Sequence, residues 1–209
     1  DPKPAADKPI HITEYALQNL IRCRLIRRED LPLDYNFHRT HLQNRSTGTG
    51  SRNTILLHPG SGSKRKRWPL SRFKLIESQL SADGLQTEFV LGPAEEDLHG
   101  PLQDKNRKIH RLDDVIRLVQ LYQTAGGYIG NDSGASHLAA FMGLPTLVVF
   151  GPADPVRWKP NGPNVKIVRP DLSCRACFET EPSNCDELKC LEEITPDRVL
   201  KAFYKVYKN

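Results

Sequence analysis

The segment Gly126-Gly-Tyr-Ile-Gly-Asn-Asp-Ser-Gly-Ala-Ser-His-Leu-Ala-Ala140 constrains this chain more than any other. It reads as a short apolar strand, a tight turn holding Asp and Gly, and a helix rich in Ala and Leu. Such a turn leaves the N–H groups of Ser133, Gly134 and Ala135 at the positive end of the helix. That is a ready site for an anion, and Gly134 lets a phosphate come close to the backbone. The apolar run Thr146-Leu147-Val148-Val149 and the turn Phe150-Gly151-Pro152 follow as the next strand and its exit. Together they predict one βαβ step of a parallel sheet. Its polar cluster falls at the strand's carboxyl end, where open sheets of this kind bind ligands.

The same alternation runs through most of the chain. Strands are predicted at 54–58, 87–91, 108–111, 128–130, 146–150 and 165–168, and helices at 13–23, 70–80, 113–123, 136–142 and 195–207. A short helix is expected at 95–99. Ser71 is the predicted N-cap of the helix at 70–80 and Gly84 its stop. The helix at 113–123 is expected to bury Val115, Ile116, Val119, Leu121 and Tyr122. Residues 34–52 are polar and rich in Asn, Thr, Ser and Gly, as a linker would be. The predicted fold class is therefore α/β, a Rossmann-like parallel sheet with helices on both faces. Residues 1–52 are expected to form a tail and linker, and 53–209 the nucleotide-binding domain.

With 209 residues, 38% hydrophobic and 26% charged, the chain has the composition of an ordinary globular protein. Its longest apolar run, 144–150, is far short of the ~20 residues of a membrane span. The chain starts with Asp and its one Met is Met142, so the expectation is that more sequence precedes it. The net charge of +5 favours anionic partners. Positive charge is densest at Lys64-Arg65-Lys66-Arg67, between a Gly-rich turn (Pro59 to Ser63) and a helix start at Pro69. That context favours phosphate contact over a plain solvated loop.

The motifs His58-Pro59-Gly60, Lys66-Arg67-Trp68-Pro69, Gly130-Asn131-Asp132-Ser133-Gly134 with Ser136-His137-Leu138-Ala139-Ala140, and Phe150-Gly151-Pro152 occur in that order. Together they resemble the C-terminal half of family 9 glycosyltransferases, the ADP-heptose:lipopolysaccharide heptosyltransferases and their relatives. The likeness runs from about Thr54 to the end, and 11–22 is similar to the end of that family's N-terminal domain. It implies a GT-B fold, of which this chain carries the donor-binding half and the tail of the other domain. It implies an inverting, metal-independent transfer of heptose or a related sugar from an ADP-sugar donor to a lipid-linked saccharide acceptor of the lipopolysaccharide core. It also implies a cytoplasmic enzyme, with the basic surface suited to peripheral contact with the inner membrane. The family's general base is a carboxylate near the start of the N-terminal domain. The chain alone is therefore expected to lack efficient transfer.

Such a reaction must stabilise a departing nucleoside diphosphate. The sequence has no Asp-x-Asp pair to hold a metal for that purpose, so no cofactor is expected for catalysis, and fixed donors in the protein would carry the charge. Lys66 matches the family's phosphate-binding lysine. The N–H groups of Ser133, Gly134 and Ala135 and the Ser133 hydroxyl would complete the cradle, with Ser61 and Gly62 lining it as a backbone turn. Asp132, by resemblance, would orient hydroxyls of the transferred sugar; alternatively it only caps the helix. His137 either serves the site or packs beneath its loop. An acid after Gly92-Pro93 would bind the ribose hydroxyls, and Glu96 is favoured over Glu95. Trp68 is expected in the core, with Arg65 and Arg67 solvated.

Four of the five cysteines cluster as Cys174-x2-Cys177-x7-Cys185-x4-Cys190 in a loop spanning 173–190. The spacing allows a structural four-thiolate zinc site, reduced thiols, or two disulfides; a reducing cytosol disfavours the last. Cys23 reads as a small buried apolar residue on the first helix. Two other functions compete. A nucleotide-sugar epimerase of the same build is disfavoured by the Lys-Arg-Trp-Pro motif. A basic nucleic-acid-binding module built on the four cysteines is disfavoured because one dense basic run stands without aromatic stacking residues; no nucleic acid is expected as partner.

Overall fold

The computed structural model describes residues 10–23, 53–171, 176–178 and 189–208. The predicted linker at 34–52 lies outside them. Six strands, β1 (Thr54–His58), β2 (Gln86–Leu91), β3 (Lys108–Arg111), β4 (Gly127–Asn131), β5 (Thr146–Val149) and β6 (Val165–Val168), form one sheet in the order β3-β2-β1-β4-β5-β6. Every neighbouring pair is parallel; Leu57 aligns with both Phe89 and Ile129, and Ile129 with Leu147. The expected α/β fold is present.

Burial explains which strand sits where. All of β4 and β5 is buried, whereas the edge strand β3 exposes Lys108 and Arg111. Long apolar runs belong in the middle of a parallel sheet, covered on both faces, and charged residues guard its edges. The period-two alternation of β1 sorts its side chains into two cores. Ile55 and Leu57 face one layer with Phe73, Ile76, Leu80 and Phe203; Leu56 faces the other with Tyr122, Tyr128, Ala139 and Leu144.

The first layer holds α2 (Leu70–Ala82) and α8 (Pro196–Tyr207); the second holds α4 (Val115–Thr124) and α5 (Gly134–Phe141). The other described α-helices are α1 (Ile12–Arg22) and the short α3 (Glu96–Leu102), α6 (Pro155–Trp158) and α7 (Lys189–Glu192). Thr195 caps α8 by accepting from the Arg198 N–H, with Pro196 at its first position. Gly84 (φ +80°) ends the α2 segment as expected, and Gly143 (φ +74°) follows α5. Gly127 is required by packing: a Cβ there would lie 2.8 Å from Cζ of Phe203.

Two local expectations need correction. The N-cap of α2 is Pro69, which supplies no side-chain bond, and Ser71 is exposed in the first turn. Pro69 in an extended conformation fixes where the helix begins, so no hydroxyl is needed. On α4, Val115 and Ile116 are 66% and 67% exposed, and only Tyr122 is fully buried. Asp114 caps this helix by accepting from the Ile116 N–H at 2.8 Å, and this places the first turn beyond the covered face of the sheet. Trp68, by contrast, is a core residue as expected. It is 1% exposed, donates from Nε1 to the Ile194 carbonyl at 3.0 Å, and meets Phe73 edge-on.

Candidate functional site

The chain leaves β1 toward β2 and β3 on one side, then crosses to β4 on the other. A crevice must open at the carboxyl ends of β1 and β4, where the winding reverses. Four loops converge there: residues 59–63 after β1, 92–95 after β2, 132–133 after β4 and 150–154 after β5.

Asn131, the last residue of β4, ties these loops together. It is fully buried. Its Nδ2 donates to the carbonyls of Pro59 (2.8 Å) and Gly60 (3.2 Å), and its Oδ1 accepts from the Trp68 N–H (3.0 Å). The Ser61 hydroxyl donates to the Asp132 carbonyl at 2.7 Å, and the Ser136 hydroxyl to the Asn131 carbonyl at 2.5 Å. That bond uses the one proton of Ser136, so the Tyr128 phenol 3.0 Å away is the donor to it. Burial pushes the Tyr128 phenol well above its ordinary value, which keeps that proton in place. The role of Asn131 was not foreseen from sequence. Its one signal was an amide between an apolar strand and Asp132.

On this frame Lys66 and Asp132 meet. Lys66 Nζ lies 3.0 Å from Asp132 Oδ2, with side chains 18% and 7% exposed. Lys66 reaches the position from a single 3-10 turn, Lys64–Lys66, between the Gly-rich loop and α2. Beside the pair stands the N-terminus of α5. Ser133 is its N-cap, and its Oγ accepts from the Ser136 N–H at 3.4 Å. Ser133, Gly134 and Ala135 form part of the wall of a cavity of about 210 Å³, as do Ser61 and Gly62. A Cβ at Gly134 or Gly62 would meet open space. The free N–H groups of the first helical turn and the helix dipole make this wall electropositive. The structure thus brings Lys66, Asp132, Ser61, Gly62, Ser133, Gly134 and Ala135 into one neighbourhood.

The acid in this cavity is Glu95; Glu96, favoured from sequence, lies outside its wall. A 3-10 turn at Pro93–Glu95 precedes α3, and its tighter winding turns Glu95 inward and Glu96 outward. Glu95 is 4% exposed and its Oε2 accepts from the Gly92 N–H at 2.7 Å. Glu96 is largely exposed and pairs with Arg111 at 2.5 Å. His58, with its Nε2 3.9 Å from Glu95 Oε2, and then the Gly92 N–H and the Arg67 guanidinium hold the Glu95 carboxyl below its ordinary value, against the opposing effect of burial. Gly60 must be glycine here, because a Cβ would lie 2.3 Å from the Glu95 side chain. His58 also lies in the wall, with Nδ1 3.5 Å from Ser133 Oγ.

Arg67 is not solvated. Its side chain is 11% exposed, contacts both Asp97 oxygens at 3.0 Å, and donates to the carbonyls of Ala94 (2.7 Å) and Ser61 (3.3 Å). It braces the loop after β1 against the loop after β2. Arg65 is half-buried, and its Nη2 is shielded from solvent without a hydrogen-bond partner among the described residues. His137 stands one turn into α5, outside the cavity wall. Burial holds its imidazole below the ordinary value, opposed by attraction from Asp132.

Of the cysteine cluster, Cys174 and Cys185 lie outside the described residues. Cys177 is partly buried, and Cys190 is buried on α7. Cys23, expected to be buried, is instead exposed, because it caps the C-terminus of α1. Among the described residues no three His, Cys, Asp or Glu side chains are placed to hold a metal ion. No described helix is long and apolar enough to cross a membrane.

Comparison with known proteins gives the family and the fold. The sequence profile of glycosyltransferase family 9 (heptosyltransferase) matches residues 27–186. Lipooligosaccharide heptosyltransferase 2 of Campylobacter jejuni is 28% identical over 162 residues, which cover 73% of this chain and 50% of that protein. This chain therefore spans about half the length of the curated relatives it matches. The structure of E. coli heptosyltransferase WaaC with ADP superposes with a TM-score of 0.66 at 20% identity, covering 97% of this chain and 59% of that one. The iron-containing dodecameric glycosyltransferase TibC of enterotoxigenic E. coli superposes with a TM-score of 0.61 at 17% identity, covering 74% and 45%. The structural likenesses carry the fold, and the profile match over most of the chain carries the kinship: this chain belongs to glycosyltransferase family 9.

Proposed function

We propose that this chain is the donor-binding part of an inverting, metal-independent glycosyltransferase that uses ADP-heptose, or a closely related ADP-sugar, and builds the lipopolysaccharide core. Residues 53–209 are the donor domain in this reading, with 1–52 as the tail of its partner domain and the linker. The observation that carries it is the Lys66–Asp132 pair, 3.0 Å apart, beside the N-terminus of α5 at the switch point of the sheet.

The chemistry follows from that placement. In the free chain the ammonium and carboxylate neutralise each other. When the donor binds, its diphosphate takes over Lys66 and the N–H groups at Ser133–Ala135. Asp132, relieved of part of its countercharge, accepts hydrogen bonds from hydroxyls of the sugar. The acceptor hydroxyl, giving its proton to the general-base carboxylate that the family resemblance places in the N-terminal domain, then attacks C1 from the face opposite the diphosphate; the C1–O bond breaks and its electrons go to the leaving phosphate. Lys66 and the helix terminus meet that growing charge in place, with no reorganisation, which is where fixed donors contribute most. Glu95 faces the cavity where a ribose would lie, and we assign it rather than Glu96 to the nucleoside. The four-cysteine loop is assigned a structural role, with zinc as its candidate ion. The enzyme is placed in the cytoplasm, with its basic surface turned to the lipid-linked acceptor and the inner membrane.

Calorimetric titration of the chain with ADP, UDP and GDP in EDTA tests the assignment. ADP is expected to bind in preference to the other two, with affinity unchanged by the chelator. A preference for UDP or GDP would remove heptose from the reading, and loss of binding in EDTA would remove metal independence.

A further inference from the structure

Phe178 lies outside every motif that defines the site, yet it touches the site's central cation. Its ring centroid is 5.1 Å from Lys66 Nζ and 5.9 Å from Arg65 Cζ. The ring is itself held firmly. The N–H groups of Cys177 and Phe178 both donate to the Pro152 carbonyl at 3.0 Å, which fixes residues 177–178 to the loop after β5. Its side chain packs on the small cluster of Val148, Phe150 and Ala153 beneath that loop. An aromatic ring anchored at both backbone and side chain therefore meets two adjacent cations.

We propose that Phe178 is a positioning residue for the phosphate site, seating Lys66 and Arg65 where a donor diphosphate would take them. This inference rests on the donor-site reading above. Its physical basis is the difference between a ring and a carboxylate as holder of a cation. A carboxylate at this position would fix Lys66 equally well but would cancel its charge and compete with phosphate for its protons. The ring's quadrupole attracts both cations without neutralising either. Among the described residues Lys66 thus has a single carboxylate partner, Asp132, and keeps N–H donors for the ligand. Arg65 fits the same arrangement: its guanidinium lies over the ring while its Nη2 makes no hydrogen bond among the described residues, so the ring is what holds it there. The cysteine-rich loop thereby acquires a second task, because its residues 177–178 carry the ring.

The test has a ligand-free arm and a ligand arm. In the free parent chain, ring current is expected to shift the Lys66 ε-methylene protons upfield in the NMR spectrum. The shift should vanish in Phe178→Leu and in Phe178→Met, and persist in Phe178→Tyr; the two ringless variants guard against one of them failing to fold. In the second arm, Phe178→Leu is expected to weaken ADP binding about three- to tenfold, the range of a partly desolvated cation–π contact, while Phe178→Tyr restores it. The same replacement should cost clearly less in a Lys66→Met background, where Arg65 alone remains for the ring to seat, a result that general loosening of the loop would not give. Unshifted Lys66 protons in the parent, or an equal loss in both backgrounds, would overturn the proposal. Parent binding of ADP with Phe178 silent refutes this inference and leaves the donor site standing. A parent that binds no ADP refutes the donor site, and the ring-current shift then decides whether Phe178 holds Lys66.

Discussion

At the carboxyl ends of the strands, a cavity of about 210 Å³ is walled by buried His58, Ser61, Glu95 and Ser133 and by the N-terminus of α5. At the amino ends of β2 and β3, a larger hollow of about 640 Å³ is walled by Glu77, Ser81, Glu88, Arg107 and Lys108. The larger space is the poorer site. Its charges are already paired, Arg107 with Glu77 at 2.6 Å and Lys108 with Glu88 at 2.8 Å, and His110 Nε2 lies 2.6 Å from Glu88 as well. It also faces the last turns of α2, where carbonyl groups give a negative helix end. In a parallel sheet with right-handed crossovers, helix N-termini gather at one edge and C-termini at the other. The topology therefore sets the positive helix ends at the small cavity before any side chain is chosen. Side chains refine the site by leaving Lys66 with Asp132 as a displaceable partner.

The sharpest way to break this contrast is to remove the clamp beneath the small cavity. Asn131→Ala leaves the Pro59 and Gly60 carbonyls and the Trp68 N–H without their partner. At ~1–3 kcal/mol for each of these three buried groups left unpaired, the expected loss is about 3–9 kcal/mol in denaturant unfolding. A loss below about 1 kcal/mol would show that the loops hold without it. Gly60→Ala comes next. It drives a methyl into Glu95, and overpacking of this kind costs about 1–3 kcal/mol; the expected result is a lower melting temperature together with weaker nucleotide binding. Arg107→Ala, at the opposite end, should cost on the order of 1 kcal/mol in stability, since its partner is mostly shielded, and leave ADP binding unaltered. Altered binding would mean that the two ends are coupled.

The smallest effect is in the acid limb. Glu95 has its pKa lowered on folding from the ordinary 4.5. Its contribution is thus complete above that value and is lost as pH falls below it, through the folded pKa. His137 is lowered from 6.5, so the folded state also loses stability as pH falls below 6.5 toward its folded value. Unfolding midpoints measured from pH 7 to pH 3 should fall, and Glu95→Gln should flatten the part below 4.5. An unchanged slope there would show that Glu95 has no folded-state advantage.

Most of the frame was legible because it depends on local periodicity. The strands at 54–58, 108–111 and 165–168 have the bounds that the sequence predicts. The turn after β4 was legible because Asp-Ser-Gly after an apolar strand has few other uses. What escaped depends on partners distant in the chain or on helix phase. Arg67 looked solvated because its partners, Ala94 and Asp97, lie about thirty residues away. Glu95 and Glu96 are indistinguishable in sequence, and one tight turn after Gly92 decides which points inward. Val115 and Ile116 look like core residues until the Asp114 cap places them beyond the covered face. Phe178 sits among cysteines, so its pairing with Lys66 is a fact of tertiary structure alone.

The most direct test is ADP titration of the parent, Lys66→Ala and Arg107→Ala side by side, in EDTA. A charge-assisted contact to phosphate is worth about 1.5–3 kcal/mol. The account therefore predicts roughly a ten- to hundredfold weaker Kd for Lys66→Ala and no change for Arg107→Ala. Equal affinity in the parent and in Lys66→Ala would contradict it, and weakening by Arg107→Ala alone would place the nucleotide at the other end of the sheet.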